Sequence, residues 1–341
     1  MNENNRGYNL LGSPLGDVRL PDFIVSQKWA GADLQTMRHT ILGPSRTLAD
    51  AGERLYFEIE GGQKIVGALH RCSAEGEALT KPLVILVHGL ASSEEAASMV
   101  SSAAALIEAG FPVLRLSLRG AGPSAETSIG PTHAGLTKDF VAVLEQLPAQ
   151  YSMQGVFVMG LSLGGNMMLK YLGLTGKNSL IRAAVAVSTP LDLKAAERKI
   201  MESRNSSYHG YILQELKRQV KLSKHHHPEA VVKAALAAAT LYEFDDVYVS
   251  RVHGFDGADK YYASQSAGHF LIGVRVPTLM IHAENDPWIP VEDYRHRIWP
   301  EDMTMSVLLT QDGGHLGFHT QDHPSPWHNR VAAVFFEQYC D

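Results

Sequence analysis

Leu83-Val84-Ile85-Leu86-Val87 offers water no polar residue on either side of a strand. A run of that kind belongs in a strand buried on both faces, as in a parallel sheet covered by helices. Val156-Phe157-Val158-Met159 and Ala183-Ala184-Val185-Ala186-Val187 read the same way, and Phe111 to Leu118, Val276 to His282 and Thr304 to Leu309 continue the series. Helical spacing separates these runs, and alternating strands and helices in one sheet require right-handed crossovers. The expectation is an α/β chain with a mostly parallel central sheet, helices on both faces, and ligands at the carboxyl ends of the strands.

The chain has 341 residues, 45% of them hydrophobic and 19% charged, enough for a large core. A net charge of −6, from 30 basic and 36 acidic residues, supplies no basic stripe for nucleic acid and no polybasic segment for a membrane. A small molecule is therefore the expected partner. Cys72 and Cys340 stand far apart, and Met1 to Arg6 leads into no apolar leader, so a reducing, cytoplasmic setting is expected. Residues 1–52, broken by Pro14, Pro21 and Pro44, read as an irregular arm packed on the core. The core itself spans residues 53–190 and 255–341. It opens with a hairpin turning at Gly61-Gly62, and Ser92 and Glu95 predict a capping box for the helix after Leu90. Thr132 to Leu147 predicts another helix. From 191 to 254 the alternation stops in favour of helices, including 210–221 and 229–241, which reads as a helical cap inserted over the active edge.

One turn carries chemistry. The apolar run Val156 to Met159 ends in Gly160-Leu161-Ser162-Leu163-Gly164 and a helix begins at once, the strand–turn–helix context that presents a nucleophilic serine. The first amides of that helix lack intrahelical partners, so the Leu163 N–H is a candidate oxyanion donor, with the Leu90 N–H of His88-Gly89-Leu90 as the second. A serine hydroxyl needs a base to take its proton and a carboxylate to orient that base. In this topology the acid and then the histidine follow the serine in the chain. The strand Val276 to His282 runs into Ala283-Glu284-Asn285-Asp286-Pro287-Trp288, and the next into Gln311-Asp312-Gly313-Gly314-His315-Leu316-Gly317-Phe318. Asp286 and His315 are the favoured acid and base, with Asp312 or Glu284 as alternative acids and His319 or His323 as alternative bases. His88 reads as a structural loop histidine. His225-His226-His227 has no companion ligand spacing and reads as a solvated loop, so neither metal nor cofactor is expected.

With Asp33-Leu34-Gln35-Thr36, His88-Gly89-Leu90, Gly160 to Asn166, Tyr261-Tyr262-Ala263-Ser264, Asn285-Asp286-Pro287 and Gly313 to Phe318 in view, the chain resembles the α/β-hydrolase superfamily. Within it the likeness is to the YheT-like hydrolases related to abhydrolase-domain lipases and ethyl-ester synthases. The resemblance covers nearly the whole chain from the arm onward. It implies an α/β-hydrolase fold, a Ser162–Asp286–His315 triad, and hydrolysis or transfer of acyl esters without a cofactor. Many relatives carry an acidic residue where this chain has Asn285, and eukaryotic relatives often carry an N-terminal membrane anchor. The expected activity is a serine carboxylesterase acting on short- to medium-chain esters; acyl transfer to an alcohol or thiol is the alternative, and a non-catalytic ligand-binding protein a more distant one. The cap is expected to wall the acyl pocket, and small cap residues such as Ala235 or Ala238 are positions where bulk would shorten it if they face inward.

Overall fold

A computed structural model describes residues 6–16, 18–72, 80–299 and 304–340; the stretch Met1 to Asn5 read above lies outside them. Among the described residues one sheet holds β1 (Tyr8–Gly12), β2 (Glu53–Ile59), β3 (Gln63–His70), β4 (Leu83–Val87), β5 (Val113–Ser117), β6 (Val156–Leu161), β7 (Ile181–Val187), β8 (Thr278–Ala283) and β9 (Met305–Thr310). Their order is β1-β9-β8-β7-β6-β4-β5-β3-β2, parallel from β9 through β5 and antiparallel where β1, β3 and β2 join. After β4 the chain adds β5 on one side and then returns to lay β6 on the other. The loops leaving β4 and β6 diverge there, which opens a crevice at the carboxyl ends of the two strands.

Helices cover both faces. Those outside residues 191–254 are α1 (Ala32–Leu42), α2 (Ala97–Glu108), α3 (Thr137–Glu145), α4 (Ala149–Ser152) and α5 (Leu163–Thr175), followed later by α11 (Gly257–Gln265), α12 (Glu292–Arg295) and α13 (Trp327–Glu337). The apolar run of β4 divides by the two-residue period of a strand. Leu83, Ile85 and Val87 face Phe140 of α3 and Met168 and Leu172 of α5, while Val84 and Leu86 join Met99 and Leu106 of α2 and Val331 and Phe335 of α13. Phe157 of β6 stacks on Phe336 with ring centroids 4.9 Å apart. A strand placed between two such layers has no use for a polar residue, which is why the run is unbroken.

Residues 191–254 hold α6 (Leu193–Ile200), α7 (Ser206–Ser223), α8 (Glu229–Ala237), α9 (Leu241–Phe244), α10 (Ser250–His253) and a π-helical turn at Asp245–Val249. Their buried side chains, among them Ile200, Ile212, Leu216, Phe244 and Tyr248, form a third apolar cluster that also takes in Leu163, Tyr261 and Tyr262. The expected helix 229–241 is interrupted at residues 238–240, where Thr240 caps α9 by accepting from the Glu243 N–H at 3.1 Å.

The structure corrects three local expectations. The segment before Gly52 is not irregular: β1 pairs with β9 across Tyr8↔Thr310 to Gly12↔Ser306, and α1 runs for 11 residues. Pro14, Pro21 and Pro44 fall between these elements rather than inside them. Ser92 and Glu95 form no capping box, because α2 starts only at Ala97; the Glu95 N–H turns to Ser93 Oγ at 3.3 Å, and Glu94 is buried against Arg54. The helix expected from Thr132 begins at Thr137, since the Thr132 hydroxyl donates to the Arg119 carbonyl at 2.6 Å and the Ala134 N–H to the Tyr261 hydroxyl at 3.0 Å.

Candidate active site

Ser162 stands at the turn between β6 and α5 with φ 51° and ψ −119°, a conformation that L-residues adopt only under external constraint. The constraint is backbone packed on backbone. A Cβ at Gly160 would lie 2.5 Å from the Gly165 Cα, and one at Gly164 would lie 2.5 Å from the His88 carbonyl oxygen. Gly-x-Ser-x-Gly is thus the condition for the turn to sit against the loop that follows β4. The other non-glycine residues with positive φ among those described are Ala91, Ser188, Leu316 and Phe318, which lie in the loops after β4, β7 and β9. Strain collects at the carboxyl ends of the strands, around Ser162.

Asp286 follows β8 and His315 follows β9, and both are buried. His315 Nδ1 lies 2.8 Å from Asp286 Oδ2, and Nε2 lies 3.0 Å from Ser162 Oγ. With a carboxylate accepting at Nδ1 the proton sits there, and Nε2 is left with its lone pair toward the serine hydroxyl. Asp286 Oδ1 accepts the N–H groups of Trp288 at 2.8 Å and Ile289 at 3.0 Å. Burial alone would raise this carboxyl, but the charge and hydrogen bond of His315, with His282 and the Trp288 N–H, outweigh burial and hold it below the usual carboxylate range. The Trp288 ring lies over the imidazole, centroids 4.3 Å apart.

The alternatives have other work. Asp312 accepts from the Gly31 N–H at 2.8 Å, the Asn285 amide at 2.8 Å and the Gly313 N–H at 2.7 Å, which ties three segments together. Glu284 pairs with Arg295 at 2.6 Å. His319 packs edge-on against His39 at 4.9 Å, and both its backbone N–H and its carbonyl are taken by Gln35. The His323 Nδ1 accepts the Ser325 N–H at 3.0 Å. Leu163 is the first residue of α5, directly after Ser162, so its N–H is one of the amides without an intrahelical partner. His88 accepts the Leu118 N–H at Nε2, 3.0 Å, so its Nδ1 carries the proton and donates to the Gly89 carbonyl at 2.8 Å. Across that trans peptide the Leu90 N–H points the opposite way. Gly89 itself lies against Ser162, where an added Cβ would be 3.0 Å from the serine Cβ.

A cavity of about 720 Å³ opens on Ser162, Leu163, Leu90, His315 and Trp288. Leu193, Ala196, Ile200, Ile212 and Leu241 wall it from residues 191–254, and Thr36, His39 and Thr40 of α1 line another part. Ala235 and Ala238, which bore on the pocket only if they faced inward, are buried in the third apolar cluster and are not among its lining residues. Asp245 does reach the wall; burial, reinforced by Glu197, pushes its carboxyl up to about 7 although the Tyr262 hydroxyl donates to it at 2.6 Å. Sequence reasoning missed His282, which stacks on Tyr294 at 4.4 Å with its Nδ1 3.9 Å from Asp286 Oδ2. In the run 225–227, the His225 and His226 rings lie 3.9 Å apart and His227 packs edge-on against Tyr248. Among the described residues no group of three or more His, Cys, Asp or Glu side chains is placed to hold a metal ion, and no helix is long and apolar enough to cross a membrane.

Buried histidines make stability depend on pH. Burial, the largest cause in each case, pushes His39, His88 and His282 down to about 4, His328 to about 3 and His319 to about 2. Unfolded histidines take up protons near pH ~6.5. Below that pH the unfolded chain binds protons that the folded chain refuses, and by linkage stability falls as pH falls. The melting temperature is expected to be level above about pH 7 and to drop steadily from about 6.5 to about 4. A flat thermal-shift profile through that window would contradict the burial of these rings in the neutral form.

The family model described as "Serine aminopeptidase, S33" matches residues 79–298. The YheT protein of Escherichia coli, which bears the name of an esterase, is 29% identical over 90% of this chain and 90% of its own. The "Medium-chain fatty acid ethyl ester synthase/esterase 2" of Saccharomyces cerevisiae is 28% identical over 76% of this chain and 62% of its own. Among solved structures, an esterase of Pyrococcus furiosus superposes with a TM-score of 0.55 at 17% identity, over 87% of this chain and 97% of that one. A 2,6-dihydroxy-pseudo-oxynicotine hydrolase gives a TM-score of 0.55 at 16% identity, over 89% of this chain and 71% of that one. The fold is that of the α/β hydrolases, and the chain belongs to the family of that matching model as an esterase- and lipase-type α/β hydrolase.

Proposed function

We propose that the chain is a serine carboxylesterase that hydrolyses short- to medium-chain acyl esters through Ser162, His315 and Asp286. The observation that carries this reading is the unbroken hydrogen-bonded series Asp286–His315–Ser162, at 2.8 and 3.0 Å, facing a cavity of about 720 Å³ with both apolar and polar walls. In the first step His315 Nε2 takes the serine proton as Oγ attacks the ester carbonyl, and the Leu90 and Leu163 N–H groups receive the oxyanion. The imidazolium, held by Asp286, then gives its proton to the departing alkoxide and leaves an acyl-enzyme. Water, deprotonated by the same nitrogen, releases the carboxylic acid. Residues 191–254 act as a cap whose apolar side chains hold the acyl chain.

A p-nitrophenyl ester series from acetate to palmitate, run beside matched p-nitroanilides, tests the reading. Turnover of the esters with an optimum at short to medium chains is expected. Cleavage of the anilides with no turnover of any ester would overturn it in favour of a peptidase. Acyl transfer is a second reading, supported by the yeast relative whose name joins ester synthesis with hydrolysis. Ethanol added to the assay separates the two, since transfer yields ethyl ester in place of free acid.

Chain length should respond to the wall supplied by residues 191–254. Ala196→Phe and Ile212→Phe each add bulk at a buried position on the cavity wall. Each is expected to lower the ratio of kcat/KM on octanoate to that on acetate by about tenfold, because one or two methylenes denied a pocket are worth about 1–3 kcal/mol. A ratio unchanged in both folded variants would move the acyl site away from this wall.

A further inference from the structure

The loop bearing His315 is held from outside by α1, a helix that takes no part in the chemistry proposed above. The His315 N–H donates to Thr36 Oγ1 at 2.8 Å, and that hydroxyl donates in turn to the Ala32 carbonyl at 2.6 Å. Gln35 has no exposed surface. Its Nε2 donates to the His319 carbonyl at 3.0 Å and its Oε1 accepts the His319 N–H at 2.7 Å, so one amide closes on that residue as a neighbouring strand would. The glycines of the loop let the helix this close: a Cβ at Gly314 would lie 2.5 Å from the Ala32 carbonyl oxygen, and one at Gly317 would lie 2.4 Å from that of Gln35.

These contacts differ from ordinary helix docking. Gln35 is the one residue of α1 with no exposed surface, while Leu34, Ile41 and Leu42 are exposed, so no continuous apolar stripe attaches the helix. Beside the His39–His319 ring contact and the bonds of Asp33 to Arg204 and Tyr208, it is attached by hydrogen bonds to the backbone on either side of the imidazole. The loop they hold contains Leu316 at φ 61° and Phe318 at φ 50°, conformations that persist only where the surroundings enforce them. A histidine that must reach Ser162 at one nitrogen and Asp286 at the other tolerates little drift of its main chain.

We propose that Thr36 and Gln35 are positioning residues for His315, fixing the backbone on both sides of the base so that its ring spans Ser162 and Asp286. The proposal rests on the triad reading above. Thr36→Val keeps the shape and removes the acceptor for the His315 N–H; Thr36→Ser keeps the acceptor. Three quantities are measured: kcat and KM on p-nitrophenyl butyrate, the rate of Ser162 modification by a fluorophosphonate, and the melting temperature. Thr36→Val is expected to lower kcat and the modification rate ten- to a hundredfold with KM within about threefold, the range set by losing a hydrogen bond or displacing a reacting group by about 1 Å. Thr36→Ser is expected to stay within about threefold of wild type, as is Leu34→Ala on the exposed side of the helix. Gln35→Glu keeps the acceptor for the His319 N–H and loses the donor. It is expected to lower kcat about tenfold at constant KM, and decides the matter should Thr36→Val not fold. Folded Thr36→Val or Gln35→Glu with wild-type kcat, or Thr36→Ser as impaired as the valine variant, would overturn the proposal. Ser162→Ala is assayed in parallel: if it stays active the triad reading itself fails, whereas an inactive Ser162→Ala beside an unimpaired Thr36→Val removes only the positioning role.

Discussion

Ser162→Ala is expected to fold as the wild type does and to lose ester hydrolysis by about 10⁵- to 10⁶-fold, leaving the residual rate that oxyanion donors and binding supply on their own. The fold should survive because the turn is imposed by the glycines around it and by the Ser162 N–H donating to the Val187 carbonyl at 2.8 Å, neither of which involves the hydroxyl. The hydroxyl bonds to His315 and opens on the cavity, so its removal leaves no buried donor stranded in the core. The checks are kcat on a p-nitrophenyl ester, the melting temperature, and labelling by a fluorophosphonate, which should modify the wild type at Ser162 and leave the variant untouched. A folded variant that keeps a tenth of the activity would place the nucleophile elsewhere.

The second large effect separates two aspartates near one histidine. Asp286→Asn is expected to cost about 10⁴-fold in kcat, because an amide at Oδ2 can donate to Nδ1 and so favours the imidazole tautomer whose Nε2 no longer accepts the serine proton. Asp312→Asn should cost less than about tenfold in kcat and act mainly on the melting temperature, since Asp312 joins Gly31, Asn285 and Gly313 and does not touch the imidazole. Steady-state kinetics on the two variants decide the assignment. The reverse ranking would make Asp312 the acid.

Burial pattern decides which parts of this molecule could be read in advance. The unbroken apolar run of β4 was legible because both of its faces meet helices, and the Gly-x-Ser-x-Gly turn because close backbone packing restricts it to glycine. Asp286 and His315, which the fold brings within 2.8 Å of each other, were singled out by their places at successive strand ends. The helix α1 was not legible, since it is docked largely by polar contacts, among them one buried glutamine and a threonine hydroxyl, and hydrogen bonds to a distant backbone leave no periodic trace. The strand β1 escaped for a related reason: a five-residue strand with Asn9 and Leu10 exposed and Pro14 soon after it lacks a clean alternation. Asp33-Leu34-Gln35-Thr36 did stand out as a point of resemblance, but its purpose appears only when the loop after β9 is folded against it.

The position of β1 has a consequence for how the molecule behaves in a crowded solution. Without it, β9 would end the sheet with a row of unpaired N–H and C=O groups, beside side chains as apolar as Val307 and Leu309, a template on which a second chain could add. As built, the described residues at that margin are the five of β1, and at the other margin β2 carries the charged Glu53, Arg54 and Glu58, with Tyr56 and Glu58 exposed on one face. One rim is guarded by brevity and the other by charge, so the long sheet beneath the candidate active site offers neither flank as a surface for aggregation.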